Sequence, residues 1–237
     1  MAQLVGPWNS LSNQQRDRLE QWVVNFTARK NWEGCGGLRL NDDMKLAVAA
    51  QVGLMVLGWD QPFYFDHVQS ILIYPNAFVA PRKVAIGSGV HLEAEQALEG
   101  EAWYGGPVIV SWSDVLEPSR GKPHNLVIHE FAHQLDMLNG ESADGIPPLP
   151  DRRHIDRWQS VLQETLDQLR HACRDSRYTI LDCYGCSSPS ELFAVGCEAF
   201  FEAGSQLMDE YPIFYQELAN LFRLETHLWQ SPWGAHS

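Results

Sequence analysis

Residues 125–136 read NLVIHEFAHQLD, and this stretch decides how the rest of the chain is interpreted. His129 and His133 are four residues apart, so on a helix both imidazoles lie on one face about one turn apart. That spacing suits two ligands of a single zinc ion. Glu130 matches the glutamate of the HExxH pattern, which lies too far round the helix to bind metal and acts as general base on the attacking water. The pattern therefore predicts a zinc site with Glu130 as a catalytic residue.

The neighbouring residues favour a helix that is buried on most of its circumference. No glycine or proline interrupts the run, and its remaining side chains are mainly apolar. The apolar residues are Leu126, Val127, Ile128, Phe131, Ala132 and Leu135. The alternative to a metal site is a pair of structural histidines with hydrogen bonds inside the core.

The composition is that of a large acidic domain. With 237 residues and 45% hydrophobic content, the chain can bury a sizeable core, and we expect one domain over residues 1–237 with a helical portion, residues 1–62, packed on it. The net charge of −13 argues against nucleic acid and anionic membranes as partners. Residues 1–8 lack the features of a secretory signal. We therefore expect a cytoplasmic protein; its oligomeric state is not predicted.

The five cysteines are Cys35, Cys173, Cys183, Cys186 and Cys197. An odd number in a chain of this length favours reduced thiols. Cys183 and Cys186 have CxxC spacing, and a second zinc site with Cys173 and Cys197 is an alternative. A structural zinc site usually shows two close pairs of ligands and only one is present, so we expect thiols packed in or near the core.

Local signals predict a mixed α+β fold with a small sheet packed against helices. Ser12 and Gln15 form a capping box that begins a helix over residues 13–30, and Asn41 caps the next helix. Periodicity and turn residues predict strands at 68–74 and 108–112 and a helix at 151–174. The strand at 108–112 is either a sheet edge that pairs with an extended substrate or an interior strand. The acidic residues Glu93, Glu95, Glu99 and Glu101 read as a solvated face.

A catalytic zinc needs a third protein ligand beside two histidines. The extended pattern HExxHxxGxxH is excluded, because Asp136 and Asn139 stand where it has glycine and histidine. Asp136 lies on the same face as His133, where a carboxylate more often orients an imidazole than binds metal.

Two glutamates further along the chain are candidates for that ligand. Ser188 and Pro189 begin a helix on which Glu191 and Glu198 are seven apart and share a face. Either carboxylate can reach the metal. Glu191 is alternatively a capping-box residue with Ser188, and Glu198 alternatively pairs with a buried base. The residues themselves leave the choice open.

The motifs together resemble the Mlc titration factor A family of zinc-dependent peptidases. The resemblance is carried by residues 71–75 (ILIYP), 106–112 (GPVIVSW), 129–136 (HEFAHQLD) and 188–195 (SPSELFAV). It implies a zincin-like fold of the gluzincin type with one Zn²⁺ per chain, held by His129, His133 and Glu191. It also implies that Glu198 supports the site without binding the metal. Tyr184 matches a family tyrosine that would donate a hydrogen bond to the reacting oxyanion; its alternative is a packed loop residue.

The resemblance also implies the function. It predicts a metallopeptidase with aminopeptidase-like activity on a peptide or protein substrate. The alternative is a regulatory protein that sequesters a transcriptional repressor of the Mlc type, with weak or incidental hydrolysis. A third interpretation, a purely structural zinc domain, requires a closed site with four protein ligands.

Overall fold

The computed structural model describes residues 6–76, 84–86, 90–92, 105–116, 123–140 and 142–229. These ranges contain the elements α1 (Asn13–Arg29), β1 (Asn31–Gly34), α2 (Asp42–Val56), β2 (Ser70–Tyr74), β3 (Val84–Ile86), β4 (Val90–Leu92), β5 (Val108–Ser111), α3 (Trp112–Leu116), α4 (Leu126–Asp136), α5 (Arg152–Arg174), α6 (Pro189–Glu202), α7 (Gly204–Glu210) and α8 (Pro212–Phe222). Short 3-10 helices lie at Gly6–Ser10, Met137–Asn139, Cys183–Cys186 and Thr226–Leu228. The predicted acidic face at Glu93, Glu95, Glu99 and Glu101 lies outside the described residues. None of the helices described combines the length and the apolar character needed to cross a lipid bilayer.

The fold is helix-rich with one small parallel sheet, as predicted in outline. The sheet has the order β1-β2-β5, with Trp32 opposite Ile71 and Ile73 opposite Val110. β2 is central and its residues 71–74 are buried, as expected for an apolar strand covered on both faces. Among the strands that are described, β5 lies at one edge. β3 and β4 pair antiparallel in a separate hairpin.

Two details of the sheet differ from the prediction. The sequence does not predict β1, because asparagine, glutamate and glycine are poor strand formers. The strand forms through its neighbour: the N–H of Asn31 donates to Gln69 O at 2.9 Å and that of Cys35 to Ile73 O at 2.8 Å. Trp112, predicted to end the strand at 108–112, instead begins α3.

α1 and α2 pack against each other on one side of the core. The predicted capping box of Ser12 and Gln15 is present. Trp22 on α1 is buried over Gly53 on α2, where an added Cβ would lie 2.8 Å from the indole. Glycine therefore allows the two helices to approach closely. Phe26 continues the contact to Phe131 of α4, with ring centroids 6.0 Å apart.

α4 and α6 form the centre of the molecule. α6 begins as predicted, with Pro189 in its first turn and Ser188 as N-cap. Residues 190–201 of α6 are all buried, so this helix is covered on every side. On α4, Val127, Phe131 and most residues of the last two turns are buried. The two helices contact each other along the face that carries the polar residues of interest.

The chain after α6 was not anticipated from the sequence. Three short helical elements follow α6 and pack against it. They are α7, α8 and the 3-10 helix at Thr226–Leu228. α7 is only 7 residues long, too short for a periodicity signal. On α8, Phe214 is buried against Gly196 of α6, where a Cβ would lie 2.5 Å from the ring. These helices complete the core behind the site.

The expectation that all the cysteines are reduced is wrong. Cys173 and Cys183 form a disulfide with a Cα–Cα distance of 5.9 Å, whereas Cys35, Cys186 and Cys197 are not in disulfides. α5 ends at Arg174, and the chain turns back so that Cys183 reaches the last turn of that helix. This pairing also argues against the alternative of a four-cysteine zinc site. Spacing along the sequence does not reveal such a reversal of the chain.

Candidate metal centre

α4 presents His129 and His133 side by side. Its start is set by Asn125, whose side chain accepts a hydrogen bond from the N–H of Ile128 at 3.1 Å, as a helix N-cap does. The Nε2 atoms of His129 and His133 are 3.3 Å apart and the rings are steeply inclined, at 80°. The side chains of His129 and His133 are 12% and 3% exposed. Solvent therefore reaches the pair mainly from the side of His129.

Glu191, in the first turn of α6, brings a carboxylate to both imidazoles. Its Oε2 lies 3.1 Å from His129 Nε2 and its Oε1 lies 3.5 Å from His133 Nε2. The hydroxyl of Ser188 accepts a hydrogen bond from the N–H of Glu191, which anchors this turn of backbone. One atom from each of the three side chains lies within 4.8 Å of the others. Together they form a group that could hold a metal ion.

The separations of these donor atoms suit a tetrahedral ion. Metal–ligand bonds of about 2.0–2.1 Å place two ligand atoms of a tetrahedron roughly 3.3 Å apart. The observed separations are 3.1, 3.3 and 3.5 Å. Within the described part of the chain, Glu191 Oε2 is buried without a hydrogen-bond partner, which is costly unless a cation lies beside it. The residues present therefore fit a metal ion.

The electrostatics of the group also favour a cation. Burial alone would lower the pKa of His129, but the adjacent carboxylates of Glu191, Glu198 and Glu130 outweigh it and raise that pKa to about 10. Burial raises the pKa of Glu191, but the two facing imidazoles outweigh it and lower the pKa to about 2. These side chains thus stabilise positive charge between the imidazoles and the carboxylate. A divalent ion would take the place of a bound proton there.

Glu198 lies on the opposite side of His129 from Glu191. Its Oε1 is 2.8 Å from His129 Nδ1, the ring nitrogen that faces away from His133. Its Oε2 accepts a hydrogen bond from the N–H of Asn125 at 2.5 Å. A carboxylate in this position fixes the tautomer of the imidazole, so that Nε2 offers its lone pair to a metal. The structure thus places Glu191 with the candidate ligands and Glu198 behind them.

Sequence reasoning missed His124, which extends this arrangement towards solvent. Its Nδ1 lies 3.1 Å from Glu198 Oε2, and its side chain is 47% exposed. The hydrogen bond to Glu198 is the largest influence on the pKa of His124 and raises it. His124 precedes the N-cap of α4 and belongs to no motif. Its contact with α6 depends on how the two helices cross, which no sequence pattern reveals.

Glu130 lies next to His129 on α4 and is partly exposed. Burial is the largest influence on its pKa and raises it, against the lowering effect of the His129 and His133 charges. A carboxylate with a raised pKa accepts and returns a proton more readily near neutral pH than an ordinary one. The predicted role of Glu130 as general base stays a prediction, with which the raised pKa agrees.

Asp136 is completely buried at the end of α4. Its Oδ2 accepts a hydrogen bond from the N–H of Gly145 at 2.7 Å, so it holds the loop after α4. Burial raises the pKa of Asp136 to about 6. In the described residues, His133 Nδ1 and Asp136 Oδ1 have no hydrogen-bond partner. The predicted role of Asp136 in orienting an imidazole stays a prediction, since the hydrogen bond observed is to the backbone.

Tyr184 lies beside His129 on the solvent-exposed side of the candidate metal centre. Its ring centroid is 6.2 Å from that of His129, and its side chain remains half exposed. The carboxylate of Asp182 accepts a hydrogen bond from the N–H of Tyr184 at 2.8 Å, which caps the 3-10 helix. Burial first, and then the charges of Glu191 and Glu130, raise the pKa of the phenol. The hydroxyl of Tyr184 is therefore protonated at neutral pH, and its predicted role as a donor to the oxyanion stays a prediction.

Comparison with known proteins gives consistent matches over most of the chain. The model of the family described as glucose-regulated metallo-peptidase M90 matches residues 2–223. An uncharacterized protein of Synechocystis, slr2042, is 36% identical over 91% of this chain and 78% of its own length. Mlc titration factor A of Serratia proteamaculans is 31% identical over 90% of this chain and 81% of its own length. The protein of the same name from Yersinia pestis is 28% identical, over 94% and 86%.

Proposed function

The chain belongs to the glucose-regulated metallo-peptidase M90 family, and we propose that it is a zinc-dependent peptidase of the gluzincin type. His129, His133 and Glu191 would hold one Zn²⁺, with Glu198 orienting His129. The observation that carries this proposal is the convergence of the two Nε2 atoms and the Glu191 carboxylate at separations of 3.1–3.5 Å. A helical pair of structural histidines does not need a third, negatively charged group at that distance.

Each side chain would have a distinct part in hydrolysis. Zinc, when bound, would supply Lewis acidity for the attacking water and the scissile carbonyl. Glu130 would take a proton from that water and pass it to the amine that leaves. Tyr184 would donate a hydrogen bond to the oxygen that becomes negative during attack. Glu198 would keep His129 in the tautomer that binds metal.

An extended substrate would lie along β5. Within the described strands β5 lies at the sheet edge and packs against α4, so backbone groups of a peptide paired with β5 would pass beside His129. Pairing of this kind reads the main chain of the substrate and tolerates varied side chains. We therefore propose a peptide substrate recognised chiefly through its backbone.

The direct test is hydrolysis of a peptide amide by the wild type and by Glu130→Gln. Loss of the base should lower the rate by about 10²–10⁴-fold while the zinc content stays unchanged. Glu164→Gln, on the exposed face of α5, is the matched control and should retain the wild-type rate. Equal rates for the wild type and Glu130→Gln would contradict the mechanism.

We further propose that the peptidase has aminopeptidase-like activity, which means that it removes residues from the N-terminus of a peptide. An aminopeptidase needs a group that receives the substrate ammonium, but Glu198 is occupied by His129 and Asn125 and Asp136 by Gly145. Neither is placed for that task. Comparing a free tripeptide with its N-acetylated form tests this point: aminopeptidase specificity predicts hydrolysis of the free peptide alone, and equal hydrolysis of both would indicate an endopeptidase.

The relatives named Mlc titration factor A favour a second candidate function, binding of a transcriptional repressor. Such binding would not need a catalytic base. A pull-down from cell lysate with Glu130→Gln should then recover the same repressor as the wild type. Recovery of no repressor by either protein would count against this alternative.

A further inference from the structure

The disulfide between Cys173 and Cys183 lies on the surface beside the candidate centre. It joins the last turn of α5 to the first residue of the 3-10 helix Cys183–Cys186. Cys183 is exposed and Cys173 is partly exposed, so a small thiol in solution can reach the bond. Exposed disulfides are more often labile or regulatory than buried ones. A chain with this large a core also has little need of a covalent staple.

Cys186 gives Cys183 a second possible partner. A 3-10 helix has three residues per turn and rises about 2.0 Å per residue, so Cys183 and Cys186 lie one turn apart on the same face. The resulting spacing of about 6 Å between their Cα atoms is within the range that a disulfide spans. Cys186 is partly exposed and is not in a disulfide. The three cysteines therefore form one group capable of thiol–disulfide exchange.

Tyr184, which lies between Cys183 and Cys186 in the sequence, contacts the candidate metal centre. Its backbone follows Cys183 directly, and its ring lies 6.2 Å from that of His129. Noncovalent contacts also hold this segment. Gly185 is buried against Leu169 and Leu192, which anchors the middle of the 3-10 helix. At its ends, the Asp182 cap and a hydrogen bond from Arg170 Nη2 to Cys186 O at 3.3 Å involve exposed groups, which hold a segment less firmly than a covalent link. The disulfide is the bond that ties Tyr184 to the end of α5.

We propose that Cys173, Cys183 and Cys186 form a thiol-modification site, at which small thiols open the Cys173–Cys183 disulfide and so release Tyr184 from its place beside His129. One thiolate attacks a sulfur of the disulfide and forms a mixed disulfide, and the other cysteine leaves as a thiolate that takes up a proton. A second thiolate then attacks the sulfur of the bound small thiol, and the remaining cysteine leaves as a thiolate that takes up a proton, so two thiols become one small-molecule disulfide and both cysteines are reduced. Alternatively the Cys186 thiolate attacks Cys183, which transfers the bond and frees Cys173 without net oxidation or reduction.

The release of Tyr184 gives this chemistry a functional consequence. Without the tether, the start of the 3-10 helix at Cys183 and Tyr184 would exchange between positions while Gly185 stays packed, and the phenol would be beside His129 only part of the time. The loss of hydrolysis expected from this rests on the proposed function, whereas the opening of the disulfide and the loosening of residues 182–187 do not. The metal group itself is on α4 and α6, so it should persist in the reduced protein.

The test uses the intact zinc-loaded protein with and without reduced glutathione. Alkylation and mass spectrometry should find Cys173 bonded to Cys183 before treatment and both cysteines modified afterwards. Amide exchange of residues 182–187 should then rise about tenfold, a modest part of what loss of a cross-link permits, and peptide hydrolysis should fall by at least about tenfold at constant zinc content. Cys173→Ser/Cys183→Ser should behave like the treated protein without glutathione, and Cys35→Ser should behave like the wild type.

Several outcomes would overturn the proposal. Failure to find the disulfide in the untreated protein would do so, as would a disulfide that glutathione opens only after denaturation. Opening of the bond without faster exchange at residues 182–187 would show that Tyr184 does not depend on it. If no form of the protein hydrolyses peptides, the proposed function fails, and the labelling and exchange data decide this inference by themselves.

Discussion

Glu191 and Glu198 are seven residues apart on α6 and lie on opposite sides of His129. Glu191 faces Nε2 at 3.1 Å and Glu198 faces Nδ1 at 2.8 Å. From the sequence both were candidates, since residues seven apart share a helix face. The angle at which α4 crosses α6 decides between them, and that angle depends on packing throughout the core. Helical spacing could therefore predict the pair of histidines but not the third group.

A substitution at Glu198 tests its orienting role. Glu198→Gln removes the charge opposite His129 Nδ1 and should lower zinc affinity by about 10–100-fold, measured by competition with a chelator. Glu202→Gln is the matched control, because Glu202 lies one turn further along α6 and accepts a hydrogen bond from the Asn125 side chain; it should lower the affinity much less. Equal zinc affinity in Glu198→Gln and the wild type would contradict the orienting role.

Asp136 gives a prediction about pH and stability. Its pKa is about 6 in the folded protein against about 3.9 in an unfolded chain, so between these values the folded state binds more protons. The contribution of Asp136 to the free energy of unfolding is therefore fully present below about pH 4 and is lost as the pH rises through 6. In Asp136→Asn the amide oxygen can still accept the hydrogen bond from the N–H of Gly145. Because this side chain does not titrate, the variant should not lose that contribution to stability as the pH rises.

Urea unfolding of the metal-free proteins at pH 4 and pH 7 measures the effect. The stability of Asp136→Asn relative to the wild type should rise between the two pH values by on the order of 2–3 kcal/mol. A constant difference between variant and wild type at both pH values would show that Asp136 does not titrate in this range.

At the scale of elements, the sequence predicts best where the signal is local. The caps at Ser12, Asn41 and Ser188 are all present, because a cap needs only residues within the same turn. β1 was missed since its stability comes from pairing with β2, and the disulfide was missed since it needs a reversal of the chain. α7 and α8 are short helices that close over α6. The single-domain organisation over residues 1–237 stays a prediction.

The close contact between α1 and α2 requires a residue without a side chain at position 53, which is Gly53. In a helix, glycine to alanine usually stabilises by about 1 kcal/mol. Here a Cβ would lie 2.6 Å from Leu19 Cδ1 and 2.8 Å from the Trp22 ring, and such overpacking costs about 1–3 kcal/mol. Gly53→Ala should therefore lower the free energy of unfolding in a denaturant titration. An increase would show that the helices can move apart without cost.

At the scale of the whole molecule, the core surrounds the pair α4 and α6, and a group of charged and polar side chains lies where these two helices meet. His129, His133, Glu191 and Glu198 come from two helices separated by more than fifty residues of sequence, and all four are buried or nearly so. Burying this much charge is unfavourable unless the groups are paired or bind a cation. The packing of the helices, the hydrogen bonds behind His129 and the open side near Tyr184 are all consistent with a metal centre.

Anomalous scattering at the zinc absorption edge, from crystals of the zinc-loaded protein, tests that central claim most directly. We expect one peak per chain about 2.0–2.2 Å from His129 Nε2, His133 Nε2 and a Glu191 oxygen, with Glu198 still hydrogen-bonded to His129 Nδ1. A peak ligated by Glu198 in place of Glu191, or no peak between the two histidines, would contradict the account.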